Sequence, residues 1–170
     1  MKARHLVPLI ALAAVLGFGL YAAKTHHIQS TPNTTATSTK AGAANLYPNA
    51  TLTPGNALPV DAKMVCQSGY SKSVRNVPET EKKQVYAEYG ISYPQPTGSY
   101  EVDHFISLEL GGSNDITNLW PEPALPTPGF HEKDKVENYL HQQVCNGSMS
   151  LKEAQREIAT DWYAVYLKIA

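Results

Sequence analysis

The stretch Tyr100-Glu101-Val102-Asp103-His104-Phe105-Ile106-Ser107-Leu108-Glu109-Leu110-Gly111-Gly112 decides how this chain reads. Apolar residues and the Asp103-His104 pair keep strand-like spacing as far as Leu110, and Gly111-Gly112-Ser113-Asn114-Asp115 then marks a turn. Asn118-Leu119-Trp120 is the expected returning strand, stopped by Pro121 and Pro123. Neighbouring side chains on a strand point to opposite sides of the backbone. Asp103 therefore offers a carboxylate to one side and His104 an imidazole to the other.

Working outward, Asn76-Val77-Pro78-Glu79-Thr80-Glu81 opens a helix, since proline suits the first helical position and acids suit the dipole. Val77, Val85, Tyr86 and Tyr89 are its expected buried stripe, and Gly90 ends it. Tyr93 to Ser99 is irregular, and Pro126 to Gly129 breaks the chain again. From Phe130 the pattern is helical: Val136, Leu140 and Val144 share one face, His131, Lys135, Asn138 and His141 another, and Gly147 stops it. Ser150-Leu151-Lys152-Glu153 forms a capping box. Leu151, Ala154, Ile158, Trp162, Val165 and Ile169 continue a helical stripe to the end. Trp120 and Trp162 read as core residues rather than base-stacking platforms.

The chain has 170 residues, enough for one domain and additional segments. Residues 1–23 read as a signal peptide or an N-terminal membrane anchor: Lys2 and Arg4 precede an uncharged run from Leu6 to Ala23. Removal after Ala22 or Ala23 and retention in the membrane both remain open. Either way the basic start directs the rest of the chain outward, to the periplasm or the extracellular space, held at the inner membrane by residues 6–23 if they are retained. Residues 24–59, rich in Thr, Ala and Pro and without an acidic residue, read as a disordered linker. The folded domain is expected over residues 60–170. All 15 acidic residues lie there, whereas four of the 14 basic ones, Lys2, Arg4, Lys24 and Lys40, lie outside it. A net acidic domain argues against a broad electrostatic grip on nucleic acid, although a small basic cleft beside a metal ion remains open. In an exported chain, Cys66 and Cys145 read as one disulfide, stabilising by roughly 4 kcal/mol in the chain-entropy model.

The order Asp103-His104, Gly111-Gly112, Asn118-Leu119 and His131 resembles the HNH endonuclease family, and the phrasing from Glu101 to Pro121 resembles an exported bacterial and phage branch of it. The flanking stretches Cys66 to Tyr70 and His131 to Lys135 share that resemblance, which covers most of Cys66 to Tyr166. It implies an α+β fold: a ββα-metal core with additional flanking helices, here braced by a disulfide in place of zinc-binding CxxC pairs. It also implies a metal-dependent endonuclease that hydrolyses phosphodiester bonds, leaving 5′-phosphate and 3′-hydroxyl ends. On that reading His104 is the general base, Asp103 and His131 hold one divalent cation (Mg, Mn, Ni or Zn, which the sequence does not distinguish), and Asn118 braces the site. DNA stands ahead of RNA as the nucleic-acid partner.

Each residue also has an ordinary structural reading. Asp103 suits a turn or cap, His104 a packed strand position, Asn118 a turn, and His131 an exposed helix start. Their joint order favours the site. Arg75, Lys72, Lys133 and Lys135 are weaker candidates for contacting the phosphate backbone, each with a solvated alternative. His141 and Glu109 are weaker candidates for supporting the metal ligands. The same sequence leaves room for a non-catalytic module on this scaffold that binds DNA or a protein partner, and for a domain using metal only for stability.

Overall fold

The computed structural model describes residues 46–170. The expected targeting segment, residues 1–23, and the linker up to residue 45 lie outside the described residues.

Among the described residues the architecture is α+β. Five α-helices, α1 (Ala62–Val65), α2 (Tyr70–Val74), α3 (Glu79–Glu88), α4 (Phe130–Cys145) and α5 (Leu151–Ile169), accompany a two-stranded sheet of β1 (Tyr100–His104) and β2 (Leu119–Pro123), on which α3 and α4 pack. The strands pair antiparallel, with Tyr100 opposite Pro123, Asp103 opposite Trp120 and His104 opposite Leu119.

The strand expected to reach Leu110 ends at His104. Asn118 is the reason. After Phe105 N–H donates to the Asn118 carbonyl at 2.8 Å, the Asn118 side chain takes over the pairing. Its Oδ1 accepts from Ile106 N at 3.0 Å, while Nδ2 donates to the carbonyls of Ile106 at 3.0 Å and Ser113 at 2.8 Å. The chain then curls through a 3-10 turn over Leu108–Leu110. Gly112 is required at its exit, because a Cβ there would lie 1.7 Å from the Ile106 carbonyl oxygen. Gly111 takes a left-handed φ of 78°, a conformation costly for other residues.

α4 and α5 form the larger core. Val136, Leu140 and Val144 meet Ala154, Ile158, Trp162 and Leu110, all buried. The stripe on α5 runs to the end as expected, but the helix breaks at Asp161, whose φ and ψ are −160° and 72°. The Asp161 carboxylate accepts from Ala164 N–H at 3.1 Å, so it caps the second half of the helix. A smaller cluster, Val85, Tyr86, Val102 and Leu119, joins α3 to the sheet.

The expected linker boundary at residue 59 needs correction: residues 46–59 pack on the domain. Trp162 Nε1 donates to the Leu46 carbonyl at 2.7 Å, and the buried Thr53 hydroxyl donates to the Leu119 carbonyl at 2.8 Å. Ala57 bridges to Gly112, and Ser113 N–H donates to the Asn56 carbonyl at 2.9 Å. Backbone bonds and a few single side chains hold this segment, so no apolar period marks it.

Cys66 and Cys145 are joined in a disulfide, with Cα atoms 5.5 Å apart and a sequence separation of 79. The bridge ties the chain just after α1 to the last residue of α4, and it suits an oxidising, exported environment. No helix among the described residues is long and apolar enough to cross a membrane.

Candidate functional site

The alternation of β1 sends Asp103 and His104 to opposite faces. His104, 1 % exposed, meets the loop that follows the Gly-Gly turn, where its Nε2 lies 3.2 Å from Asn114 Oδ1. The orientation of the Asn114 amide is fixed from both ends. Its Nδ2 donates to the Val74 carbonyl at 2.8 Å, and its Oδ1 accepts from Asn76 N–H at 3.0 Å. The oxygen facing His104 can only accept, so Nε2 carries the proton and Nδ1 carries the lone pair. Nδ1 is buried and has no hydrogen-bond partner. Burial pushes the imidazole down to about 4, outweighing the charge of Asp103 and the bond to Asn114. The ring is therefore a neutral base at any ordinary pH.

Asp103 points to the side of α4, where Lys133 corrects an expectation. Lys133 was a candidate for the nucleic-acid backbone, yet it is fully buried. Its Nζ donates to Asp103 Oδ2 at 2.6 Å and to the His104 carbonyl at 2.9 Å. Glu137 is a third partner, and Glu122 Oε2 stands 3.7 Å away. The physical reason is helical phase: Lys133 lies three residues before Val136 and seven before Leu140, on the buried stripe of α4. Burial works against the ammonium, but Asp103, Glu137 and Glu122 together hold its pKa well above the usual lysine value.

The three carboxyls around Lys133 respond differently. Burial opposes charge on Asp103, but Lys133 prevails and holds that carboxyl below the usual range. Glu122, on β2, is fully buried. Burial pushes its carboxyl well up in spite of Lys133, and the charge of Asp103, a side-chain hydrogen bond with Asp103 and the charge of Glu137 push the same way. Burial likewise carries Glu137 up to about 7, even though it accepts from the Ser107 hydroxyl at 2.9 Å.

Around this buried group lies a charged rim. Asp134, exposed on the first turns of α4, has its carboxyl pushed up by burial of part of the group and then by the charge of Asp103, while Lys133, His131 and Arg75 pull it back. Glu101 is raised by the same sequence of causes, burial and then Asp103 and Asp134, with Arg75 and Lys133 opposing. Arg75 also acts on His104. Arg75 thus acts on His104, Glu101 and Asp134, and His131 acts on Asp134. His131 stands exposed on the first turn of α4, its ring centroid 4.2 Å from that of Phe130.

Other candidates lie elsewhere. Asn118 holds the hairpin exit and makes no bond to His104; Asn114 makes it. Lys135 pairs with Glu132 at 3.5 Å and lies over the Tyr166 ring at 5.8 Å, so it serves the α4–α5 surface. Lys72 is exposed on α2, and among the described residues its side chain makes no ion pair. His141 and Glu109 belong to the disulfide: His141 Nε2 is 3.3 Å from Cys145 Sγ and 3.0 Å from the Val65 carbonyl, and Glu109 Oε2 is 4.0 Å from His141 Nδ1. Cys66, His141 and Cys145 have ligand-type atoms within 4.8 Å of one another. That cluster could hold a metal only with its sulfurs released, because a disulfide offers no thiolate.

Sequence reasoning missed Asn114, Glu122 and Glu137. Asn114 sits in a turn where asparagine needs no further explanation, and Glu122 between two prolines carries no signal. Glu137 was legible, lying one turn after Lys133 on the same helix face. Comparison of the chain with protein-family models, curated proteins and solved structures finds no match.

Proposed function

We propose that the domain is a metal-dependent phosphodiester hydrolase of the HNH type, with a hairpin and α4 forming a ββα-metal site and His104 as the general base. One observation carries this reading: the tautomer of His104, fixed through Asn114, leaves a buried Nδ1 lone pair without a partner. A buried polar atom with no partner calls for an explanation such as catalysis or an unseen water or ion. A water positioned at Nδ1 would give up its proton to the imidazole as its oxygen attacks phosphorus, and the P–O bond to the leaving group would break. The phosphodiester charge would raise the basicity of His104, since the imidazolium then gains a counter-ion.

On this reading one divalent cation would be held by Asp103 and His131. Asp103 and His131 are an oxygen and nitrogen pair suited to Mg, Mn, Ni or Zn, and burial, followed by the charge of Asp103, raises the carboxyls of Glu101 and Asp134. When bound, the cation would stabilise negative charge on the phosphoryl oxygens. Lys133 orients the Asp103 carboxylate from behind through Oδ2, and Arg75 offers a guanidinium for a phosphate oxygen.

A second reading, a non-catalytic module on the same scaffold, draws on a specific observation as well. The Lys133 ammonium already neutralises Asp103 from within the protein, so a cation there competes with a like charge. Cleavage of nucleic acid by the wild type and by His104→Ala, each with and without metal, separates the two. Metal-dependent cleavage lost in the variant supports the hydrolase. Binding without cleavage supports the module.

A further inference from the structure

Two cavities beside the His104 group take no part in the chemistry described so far. One, of about 330 Å³, is lined by Arg75, Lys82, Tyr86, Tyr93, Tyr100 and Glu101 among others. The other, of about 370 Å³, is lined by Tyr89, Ile91, Tyr100, Trp120 and Pro121 among others. Tyr100 lines both, and each volume falls in the range of small-molecule sites. We infer that this pair of cavities binds single-stranded nucleic acid, unpaired bases entering beside the tyrosines while the adjoining phosphate meets Arg75. The inference rests on the hydrolase reading and names its substrate class.

Position is the first argument. Arg75 is exposed and makes no ion pair among the described residues, and its charge acts on both His104 and Glu101. Val74 and Asn76, on either side of Arg75, both bond Asn114, the partner of His104, so a phosphate held by Arg75 would approach the proposed base. Ring chemistry is the second. Tyr86 stands 5.4 Å from Tyr93 and 6.4 Å from Tyr100 between centroids, and Tyr93 is 40 % exposed. Every base presents a π-face, so the exposed Tyr93 ring, backed by Tyr86, offers a stacking surface without regard to sequence. In the second cavity the Trp120 indole N–H is buried and has no acceptor, which leaves a donor for a base carbonyl.

Charge is the third argument, and it decides between one strand and two. Lys82 is drawn to Glu79 at 3.9 Å, and Lys83 lies over the Tyr93 ring at 5.6 Å. Arg75 makes no ion pair among the described residues, although its charge also acts on Glu101 in the same cavity, and the domain as a whole is net acidic. Duplex binding draws on many neutralised phosphates. Cavities walled by aromatic rings also admit only a base that has left its stack. A single strand satisfies both conditions.

The test measures binding alone. The full chain, kept in chelator so that nothing is cut, is titrated into a fluorescein-labelled oligonucleotide, single-stranded or annealed to its complement, and anisotropy is followed. The single strand should bind more tightly than the duplex. Tyr93→Ala should weaken it by roughly 5- to 150-fold, the scale of one lost stack, and Arg75→Ala should weaken it and flatten its salt dependence. Both positions are exposed, and circular dichroism confirms that each variant is folded. Equal or tighter duplex binding, no binding to either form, or wild-type affinity in both variants overturns the inference. Adding metal separates it from its premise: single-strand binding without cleavage defeats the hydrolase reading alone, and cleavage without strand preference defeats this inference alone.

Discussion

Lys133 Nζ lies 2.6 Å from Asp103 Oδ2 in a fully buried setting, so the carboxylate next to the proposed base is paired within the protein itself. Breaking a buried pair by removing one partner leaves an uncompensated charge and costs about 3–5 kcal/mol. Lys133→Met should therefore destabilise the domain on that scale in urea unfolding. A loss below about 1 kcal/mol, typical of exposed pairs, would mean that the carboxyls simply take up protons and the lysine is dispensable.

Stability should also depend on pH with opposite signs at the two ends. Glu137 is raised to about 7 when folded, so it binds a proton more tightly in the native state. Its contribution is full below the unfolded carboxyl value and is lost as pH rises through 7. His104 is depressed to about 4, so its contribution is present above the ordinary histidine value and is lost as pH falls toward 4. Between these limits the slopes oppose each other. Thermal melts across pH should show a plateau in mildly acid buffer, and Glu137→Gln should remove the decline near neutrality while leaving the acid-side loss. A decline unchanged in that variant would assign it to another group.

Asn114 fixes which nitrogen of His104 carries the proton. Asn114→Asp keeps an oxygen on Nε2 but adds a charge, which favours the imidazolium and raises the histidine pKa. The acid limb of the cleavage profile should move to higher pH, and nitrogen NMR should still show the proton on Nε2. Asn114→Ala should give a mixture of tautomers. An unmixed Nε2–H form in the alanine variant would show that Asn114 is not what sets it.

The disulfide closes a loop of 79 positions, for which the chain-entropy model gives about 4.5 kcal/mol. Reduction, or Cys66→Ser with Cys145→Ser, should lower the unfolding free energy by that order. Unchanged denaturation midpoints with and without reductant would show that the packing of α1 on α4 needs no bridge.

Residues 46–59 were legible only as composition. Their hold on the domain comes from the Leu46 carbonyl under Trp162, the buried Thr53 and a backbone bridge at Ala57, none of which leaves a periodic trace. α5 and the Gly-Gly turn were legible because period and steric need mark them directly. The Asp103-His104 pair was visible as adjacent chemistry, but the partner of each residue was not. Asn114 is joined to His104 by a turn, and Lys133 to Asp103 by the packing of a helix on a strand. Lys133 in phase with Val136, Leu140 and Val144 was the available sign that this lysine faces inward. A chain beginning at residue 60 should lose Tm relative to one beginning before Leu46, and equal melting of the two would show that the segment adds nothing.

In the proposed reaction His104 acts as a base on a phosphodiester. The most direct measurement incubates the full chain with supercoiled plasmid and with single-stranded DNA or RNA, in Mg, Mn, Ni or Zn, beside chelator controls and His104→Ala. At least one of these substrates should be cleaved in a metal-dependent way, with the rate falling by about 10²- to 10⁴-fold in the variant. No cleavage of any substrate with any metal, or equal cleavage by His104→Ala, would contradict it.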